Sequence, residues 1–161
     1  MAMKYAYGYE GYDEDVKATD TELIVRGVTD GTNVNGVFAL TISPDLVHSI
    51  TDYAYGSNPN YIVIPINMAM VIRQLVITGA AVTVDVEVST DANNASPTFT
   101  KIASYAFNPS VDGQAVINPD LVIRAFHSVN NLDKVSRVAV RFVWRQTTAG
   151  VSNIVANIII C

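Results

Sequence analysis

From residue 22 onward the chain consists of short apolar runs separated by turn residues, and the runs have the period of β-strands. In the clearest run, Val82, Val84, Val86 and Val88 alternate with polar residues. Successive side chains of a strand point to opposite faces, so this alternation predicts one buried face and one exposed face. Further strands are predicted over 22–28, 36–42, 61–66, 69–78, 98–107, 115–117, 121–126, 135–145 and 152–161.

Turn residues between the runs predict two local elements. Asp30-Gly31 lies between the first two strands, 22–28 and 36–42, which favours a hairpin with a long loop. Ser43 before a proline is a signal for the start of a helix, so one short helix is predicted over 44–50.

The most apolar window, residues 61–77, is interpreted as two buried strands. It contains Pro65, Asn67, Arg73 and Gln74, and it is shorter than the about 20 apolar residues that a membrane span requires. The sequence therefore predicts no membrane partner.

Eight or nine short strands without alternating helices predict an all-β protein, an antiparallel β-sandwich. A jelly roll is the specific fold that we expect. The expected organisation is an extended N-terminal arm over residues 1–21 and one sandwich domain over residues 22–161. A chain of 17.4 kDa is large enough for one core of this kind.

The N-terminal arm is acidic and rich in tyrosine. Residues 1–22 contain six acids and two lysines, so they carry −4 of the net charge of −5. Tyrosine is enriched at protein interfaces, so one interpretation is that the arm lies on a neighbouring subunit or another protein. The alternative is a disordered acidic tail. The predicted interface tyrosines are Tyr5, Tyr7, Tyr9 and Tyr12.

A row of arginines is predicted on one face of the strand at 135–145. Arg137, Arg141 and Arg145 recur every four residues, which places them on the face opposite Phe142 and Trp144. Residues 121–161 carry five basic residues and one acid. We hypothesise that the acidic arm of one subunit pairs with this arginine face of another. The alternative is a solvated basic face.

The composition argues against a disordered chain and against nucleic acid as a partner. Half of the residues are hydrophobic and only 16% are charged, which argues against a disordered chain. A pI of about 4.8 argues against strong binding to nucleic acid. The opening sequence lacks the pattern of a secretory signal, so synthesis in a cytoplasm is expected.

Catalytic and cofactor motifs are absent from the sequence, so no enzyme activity, cofactor or metal is predicted. No local acid partner makes either His48 or His127 resemble a catalytic base, and the single cysteine is Cys161. Asp85 and Glu87 share one strand face and could act as a glycosidase pair, although solvated acids are the simpler interpretation. The loop oxygens at 30–35 or 91–94 could bind calcium, although neither loop has the spacing of an EF-hand.

The stretch 84–107 (VDVEVSTDANNASPTFTKIASYAF) and the stretch 137–144 (RVAVRFVW) are similar to patterns of discoidin-like jelly rolls. Such domains bind sugars or lipid head groups, and the resemblance covers about a quarter of the chain. The usual Asp-Gly turn is replaced by residues 91–94, and the two cysteines of the family are missing. No sugar-binding residue therefore transfers to this chain.

The whole chain resembles the small structural proteins of tailed-phage virions. It has strands rich in Asn, Thr, Ala and Val, almost no cysteine, a polar arm and a C-terminal strand. Such proteins decorate a capsid or form part of a neck, fibre or baseplate. The resemblance therefore implies a non-enzymatic structural component of a bacteriophage virion, and we expect specifically a decoration or cement component of the capsid. The expected partners are the chain itself, as a homo-oligomer and more specifically a trimer, and another virion protein such as the major capsid protein.

The alternative function is a carbohydrate-binding jelly-roll module. In that case exposed aromatic residues such as Tyr53, Tyr55 and Tyr61 would stack on sugar rings.

Overall fold

Strands are the regular elements throughout the part of the chain that the structure describes. A computed structural model describes residues 4–5, 9–10, 21–42, 60–64, 68–90, 96–124 and 138–161. The strands are β1 (Lys4–Tyr5), β2 (Tyr9–Glu10), β3 (Thr21–Val28), β4 (Asn35–Val37), β5 (Thr41–Ile42), β6 (Ile62–Ile64), β7 (Ala69–Gly79), β8 (Val82–Ser89), β9 (Thr100–Phe107), β10 (Gln114–Ile117), β11 (Leu121–Arg124), β12 (Val138–Arg145) and β13 (Ser152–Ile160).

Two antiparallel sheets form the body of the protein. Sheet 1 has the order β10–β7–β13–β3–β5, and β11 also pairs with β7, farther along the same edge. Sheet 2 has the order β4–β12–β8–β9, and β6 also pairs with β12 beside β4. The strands β1 and β2 pair only with each other among the described residues. The predicted all-β, antiparallel β-sandwich architecture is confirmed.

One hydrophobic core lies between the two sheets, because every long strand turns alternate side chains inward. The four largest inward side chains of β7 are Met70, Ile72, Leu75 and Ile77, and all are completely buried. Val84 and Val86 of β8 are buried against them from sheet 2, as the alternation predicted. Burial of this apolar surface is the main source of stability.

The predicted hairpin between 22–28 and 36–42 is wrong in part. The second segment divides into β4, which joins sheet 2, and β5, which pairs with β3 in sheet 1. Between them the chain crosses from one sheet to the other at Phe38 and Leu40, whose side chains are buried in the core. Burial of these two side chains between the sheets favours the crossing over a continuous hairpin.

The remaining predicted strands from 61–66 to 152–161 are confirmed where the structure describes them. The predicted helix at 44–50 lies outside the described residues, which contain no helix. The window at 61–77 contains β6 and part of β7, as predicted. Among the described residues, no helical segment has the length and apolarity that crossing a membrane requires.

A hydrogen-bonded network fixes the loops at the end of the sandwich where β3 and β12 finish. The hydroxyl of Ser152 donates to the carbonyl of Ala80 at 2.7 Å, and the amide of Gln146 donates to the Ser152 hydroxyl at 3.0 Å. The hydroxyl of Thr29 donates to the carbonyl of Gly150 at 2.8 Å. Since Thr29, Gln146 and Ser152 are buried, these bonds satisfy polar groups that water does not reach.

Candidate functional site

Charged side chains cover the outer face of sheet 2, the face that turns away from the core. β8 contributes Asp85 and Glu87, and the neighbouring strand β12 contributes Arg141 and Arg145. The register places Arg141 directly opposite Glu87, and Arg145 lies diagonally across from Asp85. Lysine 101 of β9 faces Glu87 from the other side, next to a β-bulge.

Asp85 is the centre of this array, and only 5% of its side chain is exposed. The Arg145 guanidinium donates two hydrogen bonds to the carboxylate, Nε to Oδ2 at 2.7 Å and Nη2 to Oδ1 at 3.0 Å. The hydroxyl of Ser104 donates to Oδ1 at 2.6 Å, and the Lys101 ammonium lies 3.8 Å from Oδ2. Hydrogen bonds from Arg145 chiefly hold the pKa of Asp85 below 3.8, its ordinary value, against the opposing effect of burial.

The second ion pair of the array packs on an aromatic ring. The Nε of Arg141 donates to Oε1 of Glu87 at 2.8 Å, and the Arg141 guanidinium lies 4.0 Å from the centre of the Phe99 ring. Phe99 in turn contacts the ring of Tyr61, with 5.8 Å between the ring centres. Cation–π contact and the ion pair together fix the orientation of Arg141.

The arginine row is therefore in part confirmed and in part different from the prediction. Arg141 and Arg145 share one outer face, as predicted, whereas Arg137 lies outside the described residues. Each of the two described arginines is bound to a carboxylate of β8, so the face is an array of ion pairs and not a row of uncompensated positive charge. Its use as an interface stays a prediction.

Asp85 and Glu87 do not have the arrangement of a glycosidase pair. The two acids lie on the same strand, and each is bound by its own arginine, whereas glycosidase acids face each other across the bond that they cleave. The sequence indicated both the acids and the arginines, but only the register between β8 and β12 reveals that they pair.

Replacing Arg145 with alanine is expected to lower the free energy of unfolding by about 2 kcal/mol near neutral pH. The variant leaves the buried Asp85 carboxylate with the Ser104 hydroxyl as hydrogen-bond donor and with the Lys101 ammonium at 3.8 Å. Urea denaturation followed by circular dichroism measures the loss. Lys101→Ala is the control, because this half-exposed lysine touches the same carboxylate at 3.8 Å and is expected to contribute less than about 0.5 kcal/mol.

The effect of Arg145→Ala also depends on pH. Because the folded protein lowers the pKa of Asp85, the ion pair stabilises the fold above 3.8, the ordinary pKa, and this stabilisation is lost as pH falls through the lowered value. Wild type and variant should therefore converge in stability at acidic pH. Equal losses for the arginine and lysine variants, or a loss that does not change with pH, would contradict this assignment.

The outer face of sheet 1 is different in character, because apolar residues form rows there beside both amides and charged residues. Two apolar rows cross three adjacent strands each. One row joins Val116, Val76 and Val155, and the other joins Val122, Val71 and Ile159. Val116 and Val122 are 45% and 49% exposed, and the other four are half-buried. An antiparallel sheet face in contact with water is ordinarily polar.

A polar groove of about 390 Å³ separates the two apolar rows. A β-bulge in β7, opposite Asn157 and Ile158, brings both Arg73 and Gln74 to this face. The Arg73 guanidinium lies 3.5 Å from the Asp120 carboxylate, and the Asn157 amide donates to Glu22 at 3.2 Å. The lining residues are Glu22, Arg73, Gln74, Asn118, Asp120 and Asn157.

In the loop at 30–35, the carboxylate oxygens of Asp30 accept hydrogen bonds from residues of the same loop. One carboxylate oxygen of Asp30 accepts hydrogen bonds from the backbone N–H groups of Thr32 and Asn33, and the other accepts from the Asn33 amide at 2.6 Å. Bonds from Asn33 are the largest cause that lowers the pKa of Asp30 to about 2. This pattern of hydrogen bonds is that of a turn. The described residues contain no cluster of three or more acids, histidines or cysteines.

Several of the residues singled out in the sequence lie outside the part of the chain that the structure describes. Tyr5 of β1 lies opposite Tyr9 of β2 in the backbone register, while Tyr7 and Tyr12 lie outside the described residues. His48, His127, Tyr53, Tyr55 and residues 91–94 also lie outside them. The prediction that Tyr61 is an exposed aromatic is wrong, because Tyr61 is only 6% exposed beneath Phe99.

Comparison with protein-family models finds no match, and comparison with curated protein sequences finds none either.

Proposed function

We propose that the protein is a non-enzymatic structural subunit of a bacteriophage virion, a decoration or cement component that associates with itself and with a capsid shell. One observation carries this proposal. The outer face of sheet 1 presents two apolar rows, although a core between the sheets already buries the inward side chains. Apolar rows on an outer face are typical of an interaction site.

The proposed fold is a jelly roll, and the strand pairing supports it. Along the chain, β3 pairs with β13, β4 and β6 pair with β12, β7 pairs with β10 and β11, and β8 pairs with β9. These pairs are nested along the chain. The first and last strands of the two sheets, β3 and β13, pair with each other, and the two strands in the middle, β8 and β9, also pair with each other. A long antiparallel ribbon rolled into two sheets has this nesting, and it is the arrangement of a jelly roll.

The acidic arm over residues 1–21 is proposed to add to the contacts between subunits or with the shell. The side chains of Arg141 and Arg145 remain 30% and 50% exposed, so an acidic partner would share them with Glu87 and Asp85. Such sharing contributes mainly to orientation and association rate, since exposed ion pairs add little affinity.

Two measurements test the proposed function. The first asks whether the genome that encodes this chain also encodes a capsid protein, and whether the full chain co-sediments with shells assembled from that protein, in comparison with a variant that lacks residues 1–20. The second measures the mass of both in solution. We expect an oligomer that binds the shell, with weaker binding after removal of the arm. A monomer at every concentration that does not sediment with shells would overturn the proposal.

A carbohydrate-binding module is the second candidate, and the polar groove of sheet 1 is the observation that favours it. The groove has the volume of a small-molecule site, and its amides and carboxylates can both donate to and accept from sugar hydroxyls. A glycan array tests this candidate. It predicts millimolar or tighter binding that Asn157→Ala or Tyr55→Ala abolishes; failure to bind any glycan would exclude it.

A further inference from the structure

The outer face of sheet 1 is self-complementary. Its polar groove lies between the two apolar rows, so the face reads apolar, polar, apolar along β7, β13 and the β10–β11 edge. On β3, Glu22 and Arg26 continue the two rows, and Ile24 lies beside Asn157. A two-fold axis that lies in this face along the groove, perpendicular to the strands, places each apolar row on the other apolar row of the second copy and groove on groove. A surface that pairs with itself about a two-fold axis must have this property.

The polar groups of the groove are also self-complementary. Gln74, Asn118 and Asn157 carry amides, each of which has both donors and an acceptor. Arg73 and Asp120 are 54% and 70% exposed, so each copy offers one positive and one negative group to the same pair in the other copy.

Glu22 and Arg26 of β3 also stand on this face, two residues to either side of Ile24, which pairs with Asn157. An axis along the groove, perpendicular to the strands, brings Glu22 of one copy opposite Arg26 of the other, so these charges are of opposite sign where they meet.

The size of the face agrees with a stable contact between two copies. Four of the five strand positions of sheet 1 are about eight residues long, and the fifth, β5, has two residues. With about 4.8 Å between strands and about 3.3 Å per residue, the four long positions give a projected area of about 500 Å². Standard protein interfaces bury about 800 Å² of accessible surface per partner. The side chains that stand on the face add accessible surface to the projected area and bring it toward that value.

The outer face of sheet 2 does not share these properties. Its central acids are already bound by Arg141 and Arg145, and its apolar cluster of Tyr61, Val63 and Ala139 is already buried with Phe99 packed against it. Burying that array would remove four charged groups from water, which is costly even for paired ions. The two faces therefore differ in what they can bury.

We propose that two copies of this chain associate face to face through the outer face of sheet 1, about a two-fold axis that passes through the polar groove near Asn157. This inference rests on the proposed function, because it identifies the surface through which the proposed self-association takes place. Val76 and Val71 lie in opposite apolar rows and meet apolar rows of the second copy. Asn157 lies on the central strand, close to its own counterpart.

Sedimentation equilibrium of the full chain tests the contact. We expect a dimer with about twice the chain mass of 17.4 kDa. Val76→Lys places a charge in one apolar row and is expected to weaken association about 30-fold or more, as for a central interface residue. Val143→Lys is the matched control, because Val143 is also a half-buried valine on the outer face of a central strand, but in sheet 2. It should leave association unchanged.

A second variant covers the case in which Val76→Lys does not fold. In a Cys161→Ser background, Asn157→Cys should form a disulfide between two copies under mild oxidation, whereas Val143→Cys should not. An oligomer that dissociates on removal of residues 1–20, but forms no Asn157→Cys crosslink and is unchanged by Val76→Lys, would overturn the face-to-face contact and leave the proposed structural function intact. A monomer at every concentration would overturn the face-to-face contact, and without shell binding the proposed function as well.

Discussion

Replacing Trp144 with alanine is expected to lower the free energy of unfolding by about 4 kcal/mol, the largest effect of any single substitution considered. Trp144 is the only tryptophan of the chain, and it is 5% exposed at the end of β12. Its ring meets Phe38 edge to face, with 5.2 Å between the ring centres. Such a contact adds to the stabilisation that burial itself provides.

On the β4 side, the residue next to the indole has no side chain that could fill the space left by its truncation. Gly36 of β4 lies directly against the ring, and a Cβ atom at this position would be 2.5 Å from Cζ2 of Trp144. The glycine therefore permits β4 to approach β12, but it cannot extend into the cavity when Trp144 is truncated. Cavities that do not collapse are the most costly ones.

Urea denaturation followed by far-ultraviolet circular dichroism measures the loss for Trp144→Ala, since the substitution removes the tryptophan fluorescence. Trp144→Phe, which keeps a ring beside Phe38, should lose about 1.5 kcal/mol. Val143→Ala is the control on the same strand and should lose less than about 1 kcal/mol, because Val143 faces outward. Equal losses for Trp144→Ala and Val143→Ala would contradict the assignment of Trp144 to the core.

The inward direction of Trp144 follows from the sequence, because it belongs to an alternation with Val138, Val140 and Phe142, and all four are buried. What it touches does not follow. Phe38 and Gly36 belong to a segment whose division between two sheets depends on burial of Phe38 and Leu40 in the core. Local turn residues predicted a hairpin there, and the packing of distant strands overrode it.

The ion pairs on the outer face of sheet 2 also depend on packing between distant segments, which the sequence alone does not reveal. Arg145 and Asp85 are 60 residues apart in the sequence, and each residue taken alone reads as an exposed polar position of a strand. The pairing depends on the register between β8 and β12, which no single segment specifies. The sequence could therefore predict an arginine-bearing face, but not that carboxylates of the neighbouring strand neutralise it.

Two apolar surfaces, the core and the outer face of sheet 1, contribute to the apolar composition of the chain. Their positions could be predicted from the sequence only in part. β13 reads SNIVANIII, and its inward residues from Ile154 to Ile160 are buried. Its outward residues include Val155 and Ile159, which the core does not require. Because a continuous apolar run does not reveal which face is covered, the second apolar face becomes visible only when neighbouring strands align these residues into rows.

Gly79→Ala is expected to lower the free energy of unfolding by about 3 kcal/mol. Gly79 ends β7 with a φ of +98°, in a region that favours glycine, and a Cβ atom there would collide with the backbone carbonyl oxygen of Val151. This oxygen accepts the N–H of Ala80 at 2.9 Å, and the carbonyl of Ala80 accepts the Ser152 hydroxyl at 2.7 Å. A shift of Val151 would therefore disturb the buried network as well.

Gly113→Ala separates the two causes of the Gly79 effect. Gly113 has a similar φ of +77°, but no atom lies within 4 Å of the Cβ that alanine would add. Alanine there should cost only the backbone conformation, about 1 kcal/mol. Thermal and urea denaturation of both variants measure the difference, which we expect to be about 2 kcal/mol. Losses of equal size would mean that the backbone conformation alone limits position 79, and that the contact between the β7–β8 turn and Val151 adds nothing to stability.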